Sequence, residues 1–156
     1  MKSKTPEVIL RAAHLVRDQI EELVPRLDRW SFEAGTLMGA CGIASYVLHR
    51  VLKRLAVKSD MLMGVYVRDD YDLKREYPNH CWVVYQDLII DVTATQFRIP
   101  ARVHVTKDAY PYLEMFRNED ALEQFTNWDE QDPRIHERHL RRIEDAVVRQ
   151  VRRTGA

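Results

Sequence analysis

His80-Cys-Trp-Val-Val-Tyr85 and Leu88-Ile-Ile-Asp91, separated only by Gln86-Asp87, decide how this chain is read. Both runs are rich in β-branched and aromatic residues, and two intervening residues are the length of a tight hairpin turn. Such a turn fixes the register: Tyr85 faces Leu88, Val83 faces Ile90 and Trp82 faces Asp91. Side chains alternate along a strand, so His80 and Trp82 share one face while Cys81 takes the other, as core filler. Asp91 is then a diagonal neighbour of His80, about 7–8 Å away between backbones and within side-chain reach. One more residue in the turn would reverse the parity and separate the pair.

Upstream of the hairpin, Met61-Leu-Met-Gly-Val-Tyr-Val67 reads as another strand, set off by the polar loop Arg68 to Asn79. Val103-His-Val105 adds a fourth. Helical periods flank this block. Val8, Ala12, Val16, Ile20, Leu23 and Leu27 predict a helix over 6–27, with Thr5 as N-cap and Pro6 in the first turn. Ala44, Val47, Leu48, Val51, Leu52 and Leu55 predict a central helix over 41–55. A third helix over 133–153 carries the stripe Ile135, Leu140, Ile143, Val147 and Val151, with Asp132 placed to cap it. Tyr110 to Phe116 and Phe125 to Trp128 read as a surface-following segment that covers the sheet or lines a groove. Helices and antiparallel strands thus segregate, giving one α+β domain over 1–156 with its sheet within 61–105.

Composition bounds the function. The 156 residues are 46% hydrophobic, enough for a real core. The 24 Lys and Arg balance 24 Asp and Glu, which removes the simplest electrostatic case for binding nucleic acid. Residues 61–133 are acidic, with 7 basic against 14 acidic side chains, which reads either as a centre that attracts the basic flanks or as solvated faces of mixed sign. Two cysteines allow at most one bridge, so a disulfide framework is excluded. No apolar run reaches the ~20 residues of a membrane span, and the N-terminus lacks a signal-peptide core. A cytoplasmic protein with reduced thiols and no membrane partner is expected.

The chemistry then gathers on three side chains. Cys41 opens the central helix, where unpaired N–H groups and the helix dipole favour the thiolate, and Gly39-Ala40 and Gly42 leave room for a substrate. His80 can take the thiol proton, and Asp91 can fix the tautomer of its ring. The competing chemistry is zinc held by Cys41, His80 and Asp91. His136 and His139 have a metal-compatible spacing, but the interleaved Arg134, Arg138, Arg141 and Arg142 make a cationic face the better reading.

Gly39-Ala-Cys-Gly-Ile-Ala-Ser45 before a helix, then His80-Cys-Trp-Val83, then Leu88-Ile-Ile-Asp-Val-Thr93, resembles the transglutaminase-like branch of the papain-like cysteine enzymes. The resemblance covers residues 36–97, and Asp91-Val-Thr-Ala-Thr-Gln-Phe97 is similar to a stretch in bacterial and phage members. It implies a nucleophile at the start of a central helix packed on a small antiparallel sheet. It also implies hydrolysis or transfer at an amide bond of a protein or peptide, as in peptidases, protein-glutamine deamidases, transglutaminases and lasso-peptide leader peptidases. Cys41 matches the nucleophile, His80 the base and Asp91 the orienting carboxylate. Trp82 matches an aromatic that follows the His, and no cofactor or metal is implied. Papain-like peptidases usually carry a Gln before the Cys to complete the oxyanion hole, and residues 31–40 contain none. The Cys41 N–H with Trp30, Thr36 or Gln96 is left for that task. On the substrate side the reading therefore places Trp82 and Gln96. The rival reading is a non-catalytic peptide- or protein-binding module on the same scaffold.

Overall fold

A computed structural model describes residues 5–23, 40–67, 80–128 and 133–155. Helix α1 spans Thr5–Leu23 and α2 Cys41–Arg54; β1 spans Asp60–Tyr66, β2 His80–Tyr85 and β3 Leu88–Asp91. A 3₁₀ turn over Ala94–Phe97 leads to β4 (His104–Thr106), β5 (Tyr112–Arg117), α3 (Glu119–Trp128) and α4 (Pro133–Gly155). The α+β class holds, with these four helices beside one open antiparallel sheet of order β4-β3-β2-β1-β5.

The hairpin has the expected parity. Val83 pairs with Ile90, Val84 with Ile89 and Tyr85 with Leu88. Gln86, at φ 55°, supplies the left-handed residue that a two-residue connection needs to match strand twist. Beyond it Asp91 pairs with His104 of β4.

Apolar stripes on three helices bury one face of this sheet. Ile9, Ala12, Ala13, Val16 and Ile20 of α1 meet Ile43, Val47, Leu48 and Val51 of α2 and Leu140, Ile143 and Val147 of α4. Val83 and Ile90 complete that core from the sheet. The α1 stripe centres one residue away from its expected line, because Ile9 and Ala13 are buried while Val8 and Leu23 sit at the margin. On the other sheet face Leu62, Trp82, Ile89 and Tyr112 form a smaller cluster.

Three expectations need correction. The segment after Tyr110 does not merely follow the surface: Tyr112–Arg117 is an edge strand paired with β1. Its Leu113 and Met115 are exposed, so the half-buried alternation that marks a strand is missing from the sequence. Helix α3 was not expected at all. Asn118, at φ 51°, makes the sharp turn into it and ties it to β1, donating its backbone N–H to Met61 O at 2.7 Å and its amide to Asp60 at 2.9 Å. The helices of the basic flanks pack on the sheet through their apolar stripes and not through charge. Arg50 of α2 bonds Glu137 and Glu144 of α4 at 2.9 and 2.8 Å, and Arg54 bonds Asp145 at 2.6 Å, so the two flanks pair with each other. The expected end of the first helix at Leu27, the loop Arg68 to Asn79 and the Asp132 cap lie outside the described residues. No described helix is long and apolar enough to cross a membrane.

Edge strand β5 reaches β1 through a register shift between Met63 and Gly64. A Cβ at position 64 would run into the Leu113 carbonyl and stand 3.0 Å from the Trp82 ring. Gly64→Ala is therefore expected to lower unfolding stability by about 1–3 kcal/mol through overpacking, read from the urea midpoint. An unchanged midpoint would mean that β5 is not held against β1 as described.

Candidate active site

Helix α2 starts at Cys41 behind Ala40, which offers no side-chain cap. The N–H groups of the first turn have no acceptor inside the helix, so this end presents a positive field to the thiol. The next residue must be small: a Cβ on Gly42 would enter the ring of Phe125 from α3. Cys41 packs with Met61, Met63, Cys81 and Ala121 and keeps 8% of its surface, whereas Cys81 keeps 1%.

His80 opens β2 and is wholly buried. Its Nε2 lies 2.7 Å from Asp91 Oδ2, which the hairpin parity brings to the same face. Asp91 is also fully buried and is held from two further directions. Thr93 N–H donates to Oδ1 at 2.9 Å and the Tyr112 hydroxyl to Oδ2 at 2.9 Å. Rings wall the imidazole: Trp82 stacks at 5.7 Å between centroids, and Phe97 meets it edge-on at 4.6 Å. Tyr66 stands edge-on at 6.2 Å and stacks on Phe97 at 4.1 Å.

With Nε2 engaged by Asp91, the other ring nitrogen, Nδ1, has the Gln96 amide 3.1 Å away. Cys41 shares its small buried cluster with Cys81, and its ionisation responds to the Cys81 thiol and backbone and to the His80 ring. The hydrogen bond from Cys81 lowers the Cys41 thiol well below its usual range; burial opposes this, and His80 reinforces it. Burial disfavours charge on His80, but the Asp91 carboxylate and Cys41 outweigh it and push the imidazole up to about 9. Cys81, bonded to the Cys41 sulfur and buried, is held well above the usual thiol range. Burial raises Asp91, yet the His80 charge, Thr93 and Tyr112 bring it below the ordinary carboxylate range. The arrangement is built for a thiolate–imidazolium pair backed by a carboxylate.

The three residues expected to carry chemistry are thus brought together. Among the described residues, no three His, Cys, Asp or Glu side chains are grouped so as to hold a metal ion. Trp82, expected on the substrate side, is 2% exposed and serves as a wall behind His80. Gln96 Nε2 stands 3.1 Å from both His80 Nδ1 and Thr93 Oγ1, which occupies both amide protons. It therefore positions the ring and is not aimed at an oxyanion. Trp30 and Thr36, the other candidate donors, and the side chains of His136 and Trp128 lie outside the described residues.

Four contributors escaped the sequence reading. Thr93 had a signal, since Asp followed by a hydrogen-bonding residue two places on is the pattern of an Asx turn. Arg17 had one too, lying four residues after Ala13 on the buried stripe. It is 1% exposed and donates to Val92 O at 2.8 Å and Thr95 Oγ1 at 3.1 Å, anchoring the segment after Asp91 to α1. Tyr112 and the Cys81 thiol had none, because each acts through a contact between distant segments. Comparison with protein-family models, with curated proteins and with solved structures returns no match to this chain.

Alkylation by iodoacetamide tests the thiolate. Cys41 is expected to react well below about pH 7, and Cys81→Ala or His80→Gln to move the onset upward. Reaction beginning only at about pH 8.5 in the unaltered protein would mark an inert thiol.

Proposed function

We propose that this chain is a thiol-dependent amide hydrolase or acyltransferase of the transglutaminase-like branch of the papain-like cysteine enzymes, acting on a protein or peptide. The observation that carries the reading is the buried His80–Asp91 pair, 2.7 Å apart, whose imidazole helps to hold the Cys41 thiol below its usual range. The nucleophile at the start of a helix, beside an antiparallel sheet that supplies the His and the Asp, supports the family reading.

The chemistry follows from the groups. The Cys41 thiolate attacks the amide carbon, forming a C–S bond and placing negative charge on the carbonyl oxygen. The Cys41 N–H at the helix start is the nearest donor type for that charge. His80 Nδ1 gives its proton to the amine as the C–N bond breaks, leaving a thioester. Water or an amine then attacks while Nδ1 takes a proton, and Cys41 is released. Asp91 keeps Nε2 protonated and stabilises the imidazolium in both halves. When Nδ1 carries its proton, a half-turn of the Gln96 amide presents Oε1 to it, so Gln96 can hold the ring in either charge state.

Mass spectrometry of a panel of glutamine-containing peptides, incubated with the protein and with Cys41→Ala, tests this directly. A gain of about 1 Da marks deamidation, fragments mark proteolysis and joined masses mark transfer, all through the same thioester. Cys41→Ala is expected to abolish the change while leaving the fold intact, and Asp91→Asn to slow it roughly 10²–10⁴-fold. Identical products with and without the thiol would overturn the proposal in favour of a binding module.

The pH profile has a definite sign. His80 must be protonated to expel the amine, so kcat/KM is expected to fall on the alkaline side near the imidazole's value of about 9. The acid limb, where the thiolate takes a proton, is expected well below the ordinary thiol range. An optimum that only rises toward high pH would contradict a preformed ion pair.

A further inference from the structure

The mechanism makes no covalent use of Cys81, yet this buried free thiol lies in the same small cluster as the one that does the chemistry. Alternation does turn its side chain away from His80, toward Met61, Met63 and Ala121. That same five-residue cluster receives Cys41, so the chain's two cysteines, 40 positions apart in sequence, are buried together. A small buried hydrophobe would have filled the space without this contact.

We propose that Cys41 and Cys81 form a peroxide-operated thiol–disulfide pair, a reversible modification site in which Cys41 is oxidised and Cys81 resolves it. Access orders the two steps. Cys41 keeps 8% of its surface and Cys81 1%, so a small oxidant meets Cys41 first. The Cys41 thiolate attacks hydrogen peroxide; an S–O bond forms, the O–O bond breaks, and the departing hydroxide takes a proton to become water. Cys81 sulfur then attacks the sulfenic sulfur. An S–S bond forms, the S–O bond breaks, and the leaving hydroxide takes the Cys81 proton as a second water. Two electrons from the pair thus reduce one peroxide, and a dithiol reductant reverses the bond. Closing to an S–S bond of about 2.05 Å needs side-chain rotation at the first residue of α2, which no N-cap side chain pins.

The pair itself rests only on the two thiols; that its closure switches off turnover rests on the function proposed above. Its test therefore reads mass and thiol count. The reduced full-length protein is treated with one equivalent of hydrogen peroxide, denatured, alkylated with iodoacetamide and weighed intact. The expected product is a monomer lighter by two hydrogens, carrying no alkyl group, with a peptide linking positions 41 and 81. Dithiothreitol is expected to restore two alkylatable thiols. In Cys81→Ala treated with at least three equivalents of peroxide, Cys41 is expected to gain two or three oxygens that dithiothreitol does not remove. Accumulation of that over-oxidised Cys41 in the unaltered protein, with Cys81 still alkylatable, would overturn the proposal, as would two thiols surviving excess peroxide. The unaltered protein decides the question even if the Cys81 variant does not fold. A disulfide that forms in a protein whose Cys41→Ala variant matches it in peptide turnover would retain this inference and discard the enzymatic one.

Discussion

A carboxylate with no exposed surface is the constraint around which the outer face of the sheet is arranged. Asp91 is charged and fully buried, and such a group persists only when its oxygens are met by donors. The donors come from separate parts of the chain: His80 from β2, the Thr93 backbone just beyond β3, and Tyr112 from the edge strand β5. Satisfying Asp91 therefore requires the hairpin parity, the turn after β3 and the β1–β5 pairing at once. Arg17 extends the demand to α1, since its guanidinium holds the segment after Asp91 through the Val92 carbonyl.

That arrangement is poor economy as a fold. A buried ion pair rarely exceeds well-packed apolar side chains in stability, and losing one partner costs about 3–5 kcal/mol. The same space beside Trp82, Ile89 and Tyr112 would accept an apolar pair, as the neighbouring cluster shows. What the charged pair supplies is orientation. Nε2 is fixed on Asp91, four rings restrict tilt, and Nδ1 is delivered to one place. This is the property that general acid–base chemistry needs and core packing does not.

How far the sequence discloses this depends on the range of each interaction. The α2 stripe, the α4 stripe and the β2–β3 register are legible because they are local: a period of 3.6 or 2, and a two-residue turn whose parity can be counted. The same counting places Asp91 beside His80, and a helix beginning at Cys41 accounts for the thiol. Strand β5 is illegible because an edge strand with Leu113 and Met115 exposed has no buried face to alternate against. Tyr112 is lost with it. Charge segregation does not decide between its two readings for a related reason: pairing is decided by which helices pack, and α2 meets α4, so Arg50 finds Glu137 and not the acidic centre.

Cys81 shows where counting gives a true answer to too small a question. Parity correctly turns its side chain away from His80, but α2 starts where β2 starts. At the end of a strand a sulfur just beyond the first residue can reach the side chains of both faces. The Cys41 thiol therefore responds to His80, to the Cys81 thiol and to the Cys81 backbone. These three influences explain why the thiolate is favoured although the site is buried, where desolvation alone would drive it the other way. The residue after the histidine thus lowers the Cys41 thiol together with the histidine itself.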